Sequence, residues 1–116
     1  MEEILTKLKR SGVDVNCVVS KLGGNEALYI TICKKFLQDS NFRQFQEGMY
    51  LNDCKQAITY IHTLKGVAAN LGFVRMEGIC SEIIGRLRMK DKNGLDQYNK
   101  ELSKEYNNIV SIISNY

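Results

Sequence analysis

The stretch Cys54-Lys55-Gln56-Ala57-Ile58-Thr59-Tyr60-Ile61-His62-Thr63-Leu64-Lys65-Gly66-Val67-Ala68-Ala69-Asn70-Leu71-Gly72 decides the fold. Its apolar residues Cys54, Ala57, Ile58, Ile61, Leu64, Ala68 and Leu71 recur at helical spacing, in steps of three or four apart from the adjacent pair Ala57-Ile58. That is the period of one buried stripe on an α-helix, and no strand-like alternation competes with it. Asn52 is placed to cap this helix, which the pattern sets from about Asp53 to Leu71. Gly72 ends it or bends the chain.

Outward from there the same period continues in both directions. Downstream, Phe73, Met76, Ile79, Cys80, Ile83, Ile84 and Leu87 mark a second long helix, and Lys90 to Gly94 is a polar turn. Leu95, Tyr98, Leu102, Tyr106, Ile109, Val110 and Ile113 mark the last helix. Upstream, Phe42, Phe45 and Met49 extend a stripe that begins with Ala27, Leu28, Ile32, Cys33, Phe36 and Leu37. Asp39-Ser40-Asn41 interrupts it as a cap or a kink, and Asn25 caps its start. Before Gly23-Gly24 lie two short segments, one with Ile4, Leu5 and Leu8, and one with Val15, Val18, Val19 and Leu22 behind Asp14. The chain has no proline, so nothing obstructs long helices. Short polar turns between long amphipathic helices favour antiparallel neighbours. The expected fold is all-α: an antiparallel up-down four-helix bundle with one or two short extra N-terminal helices.

Composition narrows the function. The 116 residues are the size of one domain, 1–116, and 44% hydrophobic with 25% charged residues is ordinary for a soluble protein. A net charge of +3, spread along the chain, lacks the clustered basic stripe of a nucleic-acid binder. No apolar run approaches the ~18 residues of a membrane span. The start Met1-Glu2-Glu3 is acidic rather than signal-like, so a cytoplasmic protein is expected. Cys17, Cys33, Cys54 and Cys80 include no C-x-x-C pair, so buried free thiols are expected rather than a metal site or disulfides.

The chain has one histidine, His62. At about 100° per residue it lies about 100° from Ile61, at the edge of the buried stripe or outside it. Gly66 and Ala69 share its face, Lys65 is one turn on, and Lys55 is two turns back and nearly in line. A glycine within a helix costs roughly 1 kcal/mol against alanine. The simplest return is access, since a bulky partner can then reach the imidazole. Lys65 is placed to meet negative charge on the ring as a point charge with rotatable donors. A lone histidine beside an apolar stripe is more often structural, but these neighbours suit carrying a phosphoryl group. They do not suit making one, because no Walker-type or kinase-type nucleotide loop is present.

The run His62-Thr63-Leu64-Lys65-Gly66-Val67-Ala68-Ala69-Asn70-Leu71-Gly72 closely resembles the signature of histidine-containing phosphotransfer (HPt) domains of two-component phosphorelays. Gly12-Val13-Asp14, Leu22-Gly23-Gly24-Asn25-Glu26 and Phe36-Leu37 look like the N-terminal portion of that family. The resemblance implies that His62 accepts a phosphoryl group from a receiver-domain aspartate and passes it to another. It implies Lys65 as the phosphate partner and Gly66 as the access residue. Lys55, Thr59, Ala69, Asn70 and Phe73 become the candidate docking rim. The implied partners are response-regulator receiver domains and a hybrid sensor histidine kinase. The implied protein is a monomeric carrier without kinase activity and without a cofactor, the Mg²⁺ coming from the receiver.

One departure stands out. Several members of that family place a glutamine on the following helix, close to the imidazole. Here the ungapped equivalent is Ile84, and no glutamine lies between Gly72 and Asp96. Ring orientation is therefore expected from Glu82, Arg86, Arg88 or water. Two other classes are weaker. A binding module without phosphotransfer has no chemical need for His62, Lys65 and Gly66 together. A metal or hydrolytic centre lacks its donors, with one histidine and no facing Glu-x-x-His pairs.

Overall fold

Seven helices and no strand make up residues 2–116, the part of the chain that the computed structural model describes; Met1 lies outside it. They are α1 (Glu2–Arg10), α2 (Val15–Lys21), α3 (Glu26–Phe36), α4 (Asn41–Tyr50), α5 (Cys54–Leu71), α6 (Val74–Arg88) and α7 (Leu95–Ser114). α4 packs on α5, α5 on α6 and α6 on α7, and α3 closes the ring against α7. One four-cornered bundle results, with α3 and α4 in series forming a single corner. α1 lies on α7, and α2 bridges α3 and α5. No helix among the described residues is long and apolar enough to cross a membrane.

The sequence accounts for most of the boundaries. The carboxylates of Asp14 and Asp53 accept from the backbone N–H of Cys17 and Gln56, and the Asn25 side chain accepts from that of Leu28. Each satisfies a donor that a helix start leaves open. Asp53, not Asn52, is thus the cap of α5. Asn52 instead takes a left-handed conformation, φ 55°, that closes the preceding turn. Asp39-Ser40-Asn41 proves to be a full break: the Asp39 carboxylate accepts from the Asn41 N–H at 2.9 Å and restarts the helix as α4.

Two glycines are dictated by contact. Gly72 ends α5 at φ 78°, and a Cβ there would sit 2.8 Å from the Asp14 carbonyl. The Gly72 carbonyl in turn accepts from the Asp14 N–H at 2.8 Å, fastening the α1–α2 loop to the α5–α6 turn. Gly48 lets α4 approach α5 so closely that a Cβ would lie 2.7 Å from the Ala57 nitrogen.

The core is one cluster running through the bundle. Ile61, Leu64, Ala68 and Leu71 of α5 meet Met76, Cys80, Ile83, Ile84 and Leu87 of α6 and Leu102, Ile109 and Ile113 of α7 within it. Phe42 stacks on Tyr106 with ring centroids 4.2 Å apart, and Phe36 meets Phe73 edge-on at 5.2 Å. The buried Tyr29 hydroxyl donates to the Leu71 carbonyl at 2.8 Å and ties α3 to the end of α5. Desolvation raises the Tyr29 phenol above its ordinary range, so it stays a donor. The expected set of buried thiols holds only in part. Cys33 and Cys80 are buried, whereas Cys17 and Cys54 are exposed near the starts of α2 and α5; all four are free.

Candidate functional site

The long buried stripe of α5 fixes which residues look outward. His62 is exposed, and so are Lys55, Thr59, Gly66, Ala69 and Asn70. Lys65 is half-buried beside them. Among the described residues the His62 imidazole makes no hydrogen bond, and neither Lys55 nor Lys65 has an ion-pair partner. Thr63, beside His62, is occupied with its own helix, its hydroxyl donating to the Thr59 carbonyl at 3.1 Å. A Cβ at Gly66 would meet nothing within 4 Å, so no packing contact explains that glycine. Open space one turn from the ring fits the access role instead.

Phe73 is the exception in the expected rim. It is fully buried at the α5–α6 turn, with its ring against Phe36, so it cannot contact a partner. It holds the N-cap position of α6 without a side-chain capping bond, and its apolar ring turns into the core.

α6 supplies the other wall of this face. The Cys54 Sγ lies 3.9 Å from the Leu87 carbonyl, which sets the antiparallel register of α5 and α6. Both helices rise equally per residue. Counting inward, Lys65 stands level with Met76 and His62 with Ile79. Arg75 and Arg86 reach Glu105 and Tyr98 of α7, so that edge of α6 faces α7. Glu77, Ser81 and Ile84 lie on the opposite edge, toward α5.

The residues named as ring-orienting candidates fare unequally. Ile84 is 5% exposed and apolar, and offers the imidazole no hydrogen bond. Arg86 is spent elsewhere: its Nη1 bonds to the Asp91 carboxylate at 3.4 Å and to the Asn93 carbonyl, and its guanidinium lies 4.8 Å from the Tyr98 ring centre. It is withdrawn as a candidate. Glu82 and Arg88 are exposed. Among the described residues, therefore, no side chain holds the ring by a hydrogen bond.

A residue absent from the sequence reading joins the neighbourhood. Burial pushes the Cys80 thiol up to about 12; Lys65 works against that rise and Glu77 adds to it. Both charges therefore act on the same sulfur, one from α5 and one from α6. The signal for Glu77 was its place just after the Gly72 turn, which brings it within one residue of the level of Lys65 once the hairpin is drawn.

The sequence profile of the Hpt domain family matches residues 34–110, about two thirds of the chain. The chain belongs to the Hpt domain family. The matched span takes in α4, α5, α6 and most of α7, and with them the whole His62 face. Residues 1–33 fall outside it. No curated protein and no solved structure matches the chain. Hpt domains act in the phosphotransfer steps of phosphorelays, as phosphocarrier modules that deal with receiver domains rather than as kinases.

Proposed function

We propose that this protein accepts a phosphoryl group on His62 from the aspartyl phosphate of a receiver domain and passes it to the aspartate of another. The observation that carries this reading is an exposed, hydrogen-bond-free imidazole with open space over Gly66, inside the matched family span.

In the forward step a neutral ring nitrogen attacks phosphorus in line. The N–P bond forms as the P–O bond to the receiver aspartate breaks, and the aspartate leaves with the electron pair as a carboxylate. The ring's proton stays on its other nitrogen. Return of the group to a second receiver reverses these bonds. The protein's own part is positioning and charge neutralisation, as in phosphoryl transfer generally. Lys65 neutralises the phosphoryl oxygens, and Gly66 leaves room for the receiver to close over the ring. Lys55, Thr59, Ala69 and Asn70 form the docking rim. The incoming receiver and ordered water orient the imidazole, in place of a glutamine.

The Mg²⁺ of the reaction belongs with the receiver. The face around His62 offers lysines and small residues, and among the described residues no three His, Cys, Asp or Glu side chains assemble into a metal-binding group. The chain acts as one domain and a monomer, with a hybrid sensor histidine kinase upstream.

Incubation with a phosphorylated receiver tests the reading. Label should move to the protein in an acid-labile, alkali-stable linkage, as an N–P bond requires. Failure to accept label from every receiver of the organism would contradict it.

A further inference from the structure

Within α5, Lys65 is the one cationic residue after His62, a turn away from it, and α6 presents a carboxylate to the same stretch of the seam. The register set by Cys54 opposite Leu87 puts Met76 level with Lys65 and Glu77 one residue further along, on the edge of α6 that faces α5. Both side chains are half-buried, so neither is lost in bulk solvent. The Cys80 thiol, 0% exposed, feels the charge of each. Yet they do not close an ion pair: no Lys65–Glu77 contact within 4.0 Å is present among the described residues. Lys65 thus has His62 one turn back on its own helix and Glu77 across the seam on α6.

We propose that Glu77 is a positioning residue that shares Lys65 with the phosphoryl group on His62 and thereby sets how long the phosphohistidine lasts. This rests on the phosphotransfer reading of His62. With the ring unmodified, Glu77 draws the lysine stem along the seam and keeps the approach to the imidazole clear. Once the phosphoryl group is in place, its negative charge competes for the ammonium. The Glu77 carboxylate weakens that hold without abolishing it. A carrier needs such a balance, because a phosphoryl group held too firmly is not passed on. The reaction itself is unchanged; Glu77 touches neither the reacting nitrogen nor phosphorus.

Glu77 also sits in the first turn of α6, where a carboxylate favours the helix dipole. That structural role would appear as a stability change and would not depend on Lys65. The test is therefore a cycle. Loss of label from the isolated phosphorylated protein, and the equilibrium share of label against a receiver, are measured for wild type, Glu77→Gln, Glu77→Asp, Lys65→Ala and the Lys65→Ala/Glu77→Gln double variant. Glu77→Gln should prolong the label about two- to fivefold, the size of one partly exposed charge pair. It should also shift equilibrium toward the phosphorylated carrier. Glu77→Asp should stay near wild type. Lys65→Ala should shorten the lifetime and abolish the response to Glu77→Gln. A labelled protein whose lifetime ignores Glu77→Gln overturns the role of Glu77 alone. So does an equal response in the Lys65→Ala background, which would mean that Glu77 acts by direct repulsion. Absence of label on the wild-type protein overturns the phosphotransfer reading itself.

Discussion

α6 carries charge near both ends, and the two ends use it differently. Near the C-terminal end, Arg86 is committed. It is held by Asp91, by the Asn93 carbonyl and by the face of Tyr98, and it fastens the α6–α7 turn. Near the N-terminal end, Glu77 and Lys65 lie on facing edges of α6 and α5, and among the described residues neither forms an ion pair. The contrast separates two jobs. A charge that holds a loop is surrounded by its partners. On the proposed reading, a charge that meets an incoming group is left without a partner, because every bond it already had would have to be broken first.

Arg86→Ala is the strongest way to break this division. Removing the charged hydrogen bonds and the contact with Tyr98 should lower stability by about 2 kcal/mol, read from denaturant unfolding. Label uptake at temperatures where the variant is folded should match wild type. Slowed transfer at full stability would place Arg86 in the site after all.

Gly66→Gln sharpens the other side. A side chain at Gly66 meets nothing in the protein, so the fold should hold and gain up to about 1 kcal/mol of helix stability. Transfer from a receiver should nonetheless fall about tenfold or more, because the approach to the ring is obstructed. Unchanged transfer rates would remove the access role.

Arg75, also on α6, gives the smallest effect. Arg75 lies 4.0 Å from Glu105 of α7, a carboxyl that is 7% exposed. Desolvation raises its pKa, and Arg75 opposes that only in part. The folded state therefore holds this proton more tightly than the unfolded chain does. Stability should fall as pH rises from the ordinary glutamate value through the raised one. Glu105→Gln should flatten that part of the pH–stability curve. An unaltered curve would show that Arg75 compensates the burial fully.

Much of the fold was legible because a packed bundle writes its period into the chain. The α5 stripe, the stop at Gly72 and the polar turn before Leu95 follow directly from apolar spacing and turn chemistry. The His62 face was legible for the same reason: the residues outside the stripe are the ones that face water. What escaped depended on tertiary detail. Phe73 is apolar and beside the motif, but only the packing of Phe36 shows that it points inward. Asn52 and Asp53 both have capping side chains, and backbone geometry chose between them. Arg86 was a plausible neighbour of the ring until Asp91 and Tyr98 claimed it. Glu77 was invisible until the α5–α6 register was known.

The central claim is that His62 itself carries the phosphoryl group, and one comparison tests it most directly. Wild type and His62→Gln are incubated with the same phosphorylated receiver. Glutamine suits an exposed helical position, so both should fold alike. Label should pass to wild type in an acid-labile form and be absent from His62→Gln. Acid-labile label of equal amount on His62→Gln would contradict the account.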